Sequence, residues 1–187
     1  RAKGIYVLFM TDTIDEFLLP MQSDYKGKRF KSVTRGSTDL GKIKSDEKTE
    51  EKPAAEDKKS ATDALLSRFR EILSGEVKDV ALSERLVDSP VCLVAPENDV
   101  DIHMQRLLKK SQGYEAMHQH ILEINAKHPV IARLQSLVAN DGADDLVRDT
   151  AFLLLDQARI VEGEPLKNPA EFVRRMNRAI EKGLLTG

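Results

Sequence analysis

The sequence predicts an α+β fold, and three observations carry that prediction. Short runs of β-forming residues at 4–10, 77–82 and 90–95 are set among longer stretches whose apolar residues recur at the helical period. The chain closes on two long amphipathic helices, about Asp144 to Val161 and Pro169 to Leu184. The first of them is apolar on two faces. At about 100° per residue, Val147, Ala151, Leu154, Leu155, Ala158 and Val161 form a broad stripe, while Leu146, Leu153 and Ile160 form a second one at seven-residue spacing. One stripe covers a core of the molecule's own, so the other needs a further partner.

The elements follow in order. Gly4 to Met10 is a continuous apolar run that reads as a buried strand. Thr11-Asp12 caps the helix that follows, and Asp15 favours its first turn. That helix carries Ile14, Phe17, Leu18 and Met21, with Pro20 to kink or end it. Phe17, Leu18 and Leu19 are consecutive and cannot all face one core, so at least one points outward. Lys26-Gly27-Lys28 makes a turn, and Arg29 to Thr34 alternates like a half-exposed strand, which completes a small β-α-β unit. Residues 42–60 hold 12 charges in 19 positions, six of each sign, and read as a solvated linker or frayed helix, with a regulatory charge patch as the lesser alternative.

From Ser60, Leu65, Phe69, Ile72 and Leu73 make an amphipathic helix ending near Gly75. Strands are expected at Val77 to Leu82, at Pro90 to Ala95 and, more weakly, at Met117 to Ile124. Asn98 to Lys110 is helical, with Val100, Met104, Leu107 and Leu108 on one face; that face serves either the core or apolar segments of other proteins, for which a flexible thioether among leucines is suited. Pro129 opens a helix bearing Val130, Leu134, Leu137 and Val138, and Asn140-Asp141-Gly142 breaks it. Asn168-Pro169-Ala170-Glu171 starts the last helix, whose wide stripe is Phe172, Val173, Met176, Ala179, Ile180 and Leu184.

Composition excludes several function classes. The 187 residues are 41% hydrophobic and 32% charged at a net charge of −2, which offers no basic face for nucleic acid. No apolar run reaches the roughly 20 residues of a membrane span, and no signal-peptide pattern is present. A single cysteine, Cys92, suits a reducing cytosol, so a cytoplasmic location is expected. The Arg1 start without an initiator Met reads as a piece of something longer. No phosphate loop or dinucleotide fingerprint can be placed. Cys92 sits mid-strand in an apolar context and reads as a packed thiol rather than a nucleophile. His118 and His120 share a strand face but lack a third ligand, so no metal site is expected. His128-Pro129 reads as a turn or cap. No general acid/base pair stands out, and no catalytic residue is assigned.

Five motifs carry a resemblance. Thr11-Asp12-Thr13-Ile14-Asp15-Glu16-Phe17, with Tyr25-Lys26-Gly27-Lys28 and Ser32-Val33, resembles the end of the middle domain of the heat-shock protein 90 chaperones. Arg85 to Cys92, Leu122-Glu123-Ile124-Asn125 with His128-Pro129, Leu154-Leu155-Asp156-Gln157-Ala158 and the Asn168-Pro169 helix resemble that family's C-terminal domain. The lack of a long acidic tail ending in Met-Glu-Glu-Val-Asp resembles the bacterial, HtpG-type branch.

The resemblance implies residues 1–41 as the end of the middle domain, 42–60 as the charged linker and 61–187 as a C-terminal dimerisation domain with a mixed three-strand sheet and several helices. It implies a homodimer in which the last two helices of each protomer form a four-helix bundle, with Leu146, Leu153, Ile160, Phe172, Met176 and Ile180 at the interface. It implies contact with unfolded or partly folded client proteins through Phe17, Leu18, Val100, Met104, Leu107 and Leu108. Phe17 stands where the common bacterial pattern has Trp, and Pro20 follows a turn later. ATP and magnesium serve the parent chaperone at sites upstream of Arg1, so this chain itself is expected to hold no cofactor and no ATPase residue. The expected function is dimerisation and client binding within a stress-induced folding chaperone; a structural or adaptor dimer without chaperone activity is the alternative, and a small hydrolase using Cys92 a remote third.

Overall fold

A short helix ended by proline and a tight turn built on glycine are the first regular elements among the described residues in a computed structural model of the chain. The model describes residues 8–10, 12, 14–22, 24–30, 32, 55–97, 99, 102, 104–106, 108, 119–140 and 144–185, less the side chains of 16, 17, 20, 29, 55–58 and 185. The chain divides into two units, Arg1–Glu50 with Val94–His118 and Glu51–Leu93 with Gln119–Gly187.

In the first unit, helix α1 spans Asp15–Met21; its N-cap position is Ile14 and no side chain caps it. The cap expected at Thr11-Asp12 is thus corrected, with Asp12 three residues ahead of the helix and Thr11 outside the description. The Asp15 carboxylate accepts the Asp12 N–H at 3.1 Å, and the Asp15 N–H donates to the Asp12 carbonyl at 3.0 Å. Pro20 falls in the last turn, and the helix stops one residue later, as expected. Strands β1 (Asp24–Tyr25) and β2 (Lys28–Arg29) pair antiparallel around Lys26 and Gly27, whose φ angles of 50° and 75° make the turn that matches strand twist.

Two expectations are corrected here. Leu8, Phe9 and Met10 form no strand and are exposed, while residues 4–7 lie outside the description. A buried strand needs neighbours for its backbone and both faces, and no described strand pairs with 8–10. The expected β-α-β unit is therefore, over its described part, a helix followed by a hairpin. Its last strand covers only Lys28–Arg29; Phe30 has left the ladder, and Lys31, Val33 and Thr34 lie outside the description. Further along this unit, residues 102, 104–106 and 108 are helical, as the period predicts.

The second unit is built on helix α2 (Ala55–Ile72), which starts five residues before the expected Ser60 and takes in the end of the charged stretch. Glu, Lys and Ala are strong helix formers, so charge alone does not make a linker. Leu65, Phe69 and Leu73 are fully buried. Gly75, at φ 80°, turns the chain while the Glu76 and Val77 N–H groups donate to the Leu73 carbonyl.

Strands β3 (Asp79–Leu82), β4 (Val91–Val94) and β5 (Ile121–Ile124) form one sheet in the order β3-β5-β4. β3 and β5 are parallel, from Asp79 opposite Ile121 to Leu82 opposite Ile124. The central strand buries Leu122 and Ile124 completely. Arg70 of α2 ties the sheet to the helix, donating to Asp79 at 2.6 Å and to the Val80 carbonyl at 2.7 Å.

Helix α3 (Pro129–Ala139) begins as the His128-Pro129 pair predicts: His128 is extended, and its Nδ1 accepts the Val130 N–H at 3.2 Å. Ile131 and Leu134 are its buried residues, and Gln135 donates to Thr62 of α2 at 3.0 Å. Helix α4 (Asp144–Val161) buries Val147, Ala151, Leu154, Leu155 and Ala158, and Arg68 of α2 pairs with Asp144 at its start. Val161, placed in that stripe by its spacing, is instead exposed, because it is the last helical residue and lies beyond the core. Gly163 (φ 71°) ends α4, with its N–H donating to Ile160 and the Glu164 N–H to Arg159. Helix α5 (Pro169–Leu185) then starts with the Asn168 side chain accepting the Glu171 N–H at 3.1 Å. No described helix is long and apolar enough to cross a membrane.

Candidate protein–protein interface

α5 packs chiefly on α4, and polar contacts hold one side of it there. Asp149 of α4 faces Arg178 at 3.1 Å and Arg175 at 3.5 Å, and the Arg175 guanidinium lies 4.3 Å from the centre of the Phe152 ring. Glu171 pairs with Arg174 at 2.7 Å within α5. With these groups engaged, Val173, Met176, Ile180 and Leu184 are left facing solvent at spacings of three, four and four residues. A stripe at that spacing is the seam of a helix that packs on another helix. Met176 is 37% exposed, Ile180 51% and Ile160 of α4 50%. Leu146, Leu153 and Phe172 are half-buried. The six expected interface residues thus lie on two helices packed together. Asp149, Phe152 and Arg175, which fasten the pair, were not singled out from the sequence, because the contacts join residues more than 20 apart that no local spacing connects.

The expected client residues lie in the first unit. Leu18 of α1 is 53% exposed, and the side chain of Phe17 lies outside the description. In the 102–108 helix Met104 and Leu108 are half-buried, and Val100 and Leu107 are outside the description. Among the described residues of this segment, Ile102 is the buried one, 2% exposed. Its signal was available in the sequence: Ile102 stands roughly 160° around the helix from Met104, at 100° per residue, the lone apolar side chain among Asp101, His103 and Gln105.

Two motifs meet around Glu123, a buried carboxylate in the middle of apolar β5. Arg85 grips it with both arms of its guanidinium, Nε at 2.8 Å from Oε2 and Nη2 on Oε1, and the Ser83 hydroxyl donates to Oε2 at 2.8 Å. Asn125 Nδ2 donates to the carbonyls of Val87 and Ser89 at 3.1 and 3.2 Å, and its N–H donates to Pro90 at 2.8 Å. These groups are consumed in holding the 83–90 loop to the sheet. Cys92 is half-buried with Sγ 3.9 Å from Glu123 Oε2; burial, and then the Glu123 charge, push its pKa up to about 12. A thiol kept protonated is a poor nucleophile. His120 is buried with Nδ1 3.2 Å from Glu164, while His118 lies outside the description.

Comparison with known proteins agrees with these motifs. A family model described as Hsp90 protein matches residues 1–186. Chaperone protein HtpG of Paramagnetospirillum magneticum is 44% identical over 184 residues, covering 98% of this chain and 30% of the relative. HtpG of Roseobacter denitrificans is 42% identical over 188 residues, with the same coverage of 98% and 30%. HtpG of Azorhizobium caulinodans is 40% identical over 189 residues, covering 100% of this chain and 29% of the relative. The chain thus spans about 30% of the length of the curated relatives it matches. With nearly every residue inside the match, the chain belongs to the Hsp90 family and is similar to its HtpG-type members.

Proposed function

We propose that this chain supplies self-association and part of the client-binding surface of an ATP-driven folding chaperone active under stress in the cytoplasm. The observation that carries the reading is the solvent-facing stripe of Val173, Met176, Ile180 and Leu184 on α5, beside Ile160 of α4. A second copy of the α4–α5 pair would bury that stripe in an antiparallel four-helix bundle, at about 25 cal/mol per Å² of apolar surface. Joined in this way, two upstream ATPase arms would meet at high effective concentration, so that their closure becomes intramolecular. ATP and magnesium would be held by those arms and not by residues of this chain. On this reading residues 1–41 end the middle domain, 42–60 precede the dimerisation domain, and 61–187 form it. Leu18, Met104 and Leu108, with Phe17, Val100 and Leu107, would offer clients a set of weak, adaptable apolar contacts.

Sedimentation equilibrium tests the dimer. The chain is expected to be dimeric at micromolar concentration, and Ile160→Asp with Ile180→Asp is expected to give monomers that remain folded, with a melting temperature that no longer depends on concentration. A monomeric parent chain refutes the bundle. A dimer that binds no unfolded protein favours the adaptor alternative.

A further inference from the structure

We infer that Glu76 is the pin of the α4–α5 hinge: gripped by Arg159 on one side of the connection and by Lys167 on the other, it sets the direction in which α5 leaves α4. The consequence for assembly rests on the self-association proposed above.

Arg159, in the last turn of α4, is buried. Its Nη1 donates to Asp156 at 3.1 Å and its Nη2 to Glu76 Oε2 at 2.6 Å. Lys167, one residue before the Asn168 cap of α5, places Nζ 2.9 Å from the same Oε2. One carboxylate oxygen therefore clasps both ends of the connecting segment. Glu76 is itself firmly anchored, since it follows the Gly75 turn between Leu73 and Val77, both buried. A third attachment lies between the two clasped ends: Glu164 donates its N–H to the Arg159 carbonyl at 2.8 Å and sets its carboxylate against His120 at 3.2 Å.

Charge-assisted hydrogen bonds are directional, so this network specifies an angle where apolar packing alone would tolerate several. Burial opposes the charge on Glu76, but the hydrogen bonds from Arg159 and Lys167 outweigh it and hold the carboxyl below its ordinary range. The pin is thus charged at neutral pH. Because α5 packs chiefly on α4 and turns its stripe outward, the connection is what aims that stripe.

The test compares the whole chain with Glu76→Gln, Lys167→Met and Lys167→Arg by sedimentation equilibrium, thermal melting and amide exchange over residues 162–168. Glu76→Gln and Lys167→Met are expected to raise the dimer dissociation constant about tenfold and to speed exchange over 162–168 about tenfold, with the melting temperature held within about two degrees. Lys167→Arg is expected to restore both. Unchanged exchange and unchanged association in Lys167→Met overturn the pin. If Glu76→Gln lowers the melting temperature, Lys167→Met decides alone, since that side chain is 57% exposed and carries no core packing. If the parent chain is monomeric, self-association fails, and exchange over 162–168 in the monomer still decides whether Glu76 pins the hinge.

Discussion

Glu123 and Arg85 form an ion pair that is almost wholly out of water, and such a pair behaves differently when halved than when removed. Glu123→Leu leaves a buried guanidinium and an orphaned Ser83 hydroxyl, and is expected to lower unfolding free energy by about 3–5 kcal/mol. The double change Arg85→Met with Glu123→Leu should recover much of that loss in urea titrations. An additive double mutant would show that the two side chains do not act as a unit. Cys92 beside them gives a pH-dependent prediction. Its pKa of about 12, against an ordinary 9.0, leaves about a thousandfold less thiolate at neutral pH than an exposed thiol. Iodoacetamide labelling of the native chain is therefore expected to be about a thousandfold slower than after denaturation. The sign follows from linkage: the folded state holds the proton more tightly, so stability is full below pH 9 and falls as pH rises from 9 toward 12. The packed setting of Cys92 was legible in its apolar strand, but the pairing of Glu123 with Arg85 was not. Glu123 and Arg85 are 38 residues apart, and only the fold shows that a charge in an apolar strand has been answered.

Element boundaries were legible at α3 and α5, where the expected caps form; the expected Thr11-Asp12 cap does not form at α1. His128-Pro129 and Asn168-Pro169 announce α3 and α5 because their side chains accept the first free N–H groups, and the structure shows both bonds. Boundaries failed where composition was used in place of a cap, as in the charged residues that belong to the start of α2. The end of the apolar run, Leu8 to Met10, departed from expectation for another reason, since a run of β-formers states what a strand would want and not whether a neighbour exists to pair with it. Gly163 is an element-scale feature that the sequence reading passed over: it ends α4 in the left-handed conformation that glycine adopts freely. Gly163→Ala is expected to destabilise the chain by about 1 kcal/mol in chemical denaturation and to loosen the α4–α5 connection. A neutral effect would mean that the turn relaxes into another conformation at no cost.

At the scale of the whole molecule, two surfaces compete for the name of binding site, and spacing alone does not separate them. Leu146, Leu153 and Ile160 were legible as a stripe apart from the core face of α4; Ile160 is exposed, and Leu146 and Leu153 are half-buried. The stripe through Met104 was not decidable from spacing, since a helix with one apolar face fits a core as well as a client. Among the described residues of that helix, Ile102 is buried and Met104 and Leu108 are half-buried. The two sets of residues should therefore respond in opposite ways. Ile102→Ala removes a fully packed side chain and is expected to cost about 2–5 kcal/mol, read as a lower melting temperature. Met104→Ser with Leu108→Ser should change the melting temperature by only a few degrees. The same pair should weaken binding of a fluorescently labelled unfolded protein about tenfold, with the dimer fraction in sedimentation unchanged. Retained client affinity with lost stability would return that stripe to the core. Lost client affinity at constant stability and constant dimer fraction would separate client contact from self-association, which follows only if the two stripes are distinct sites.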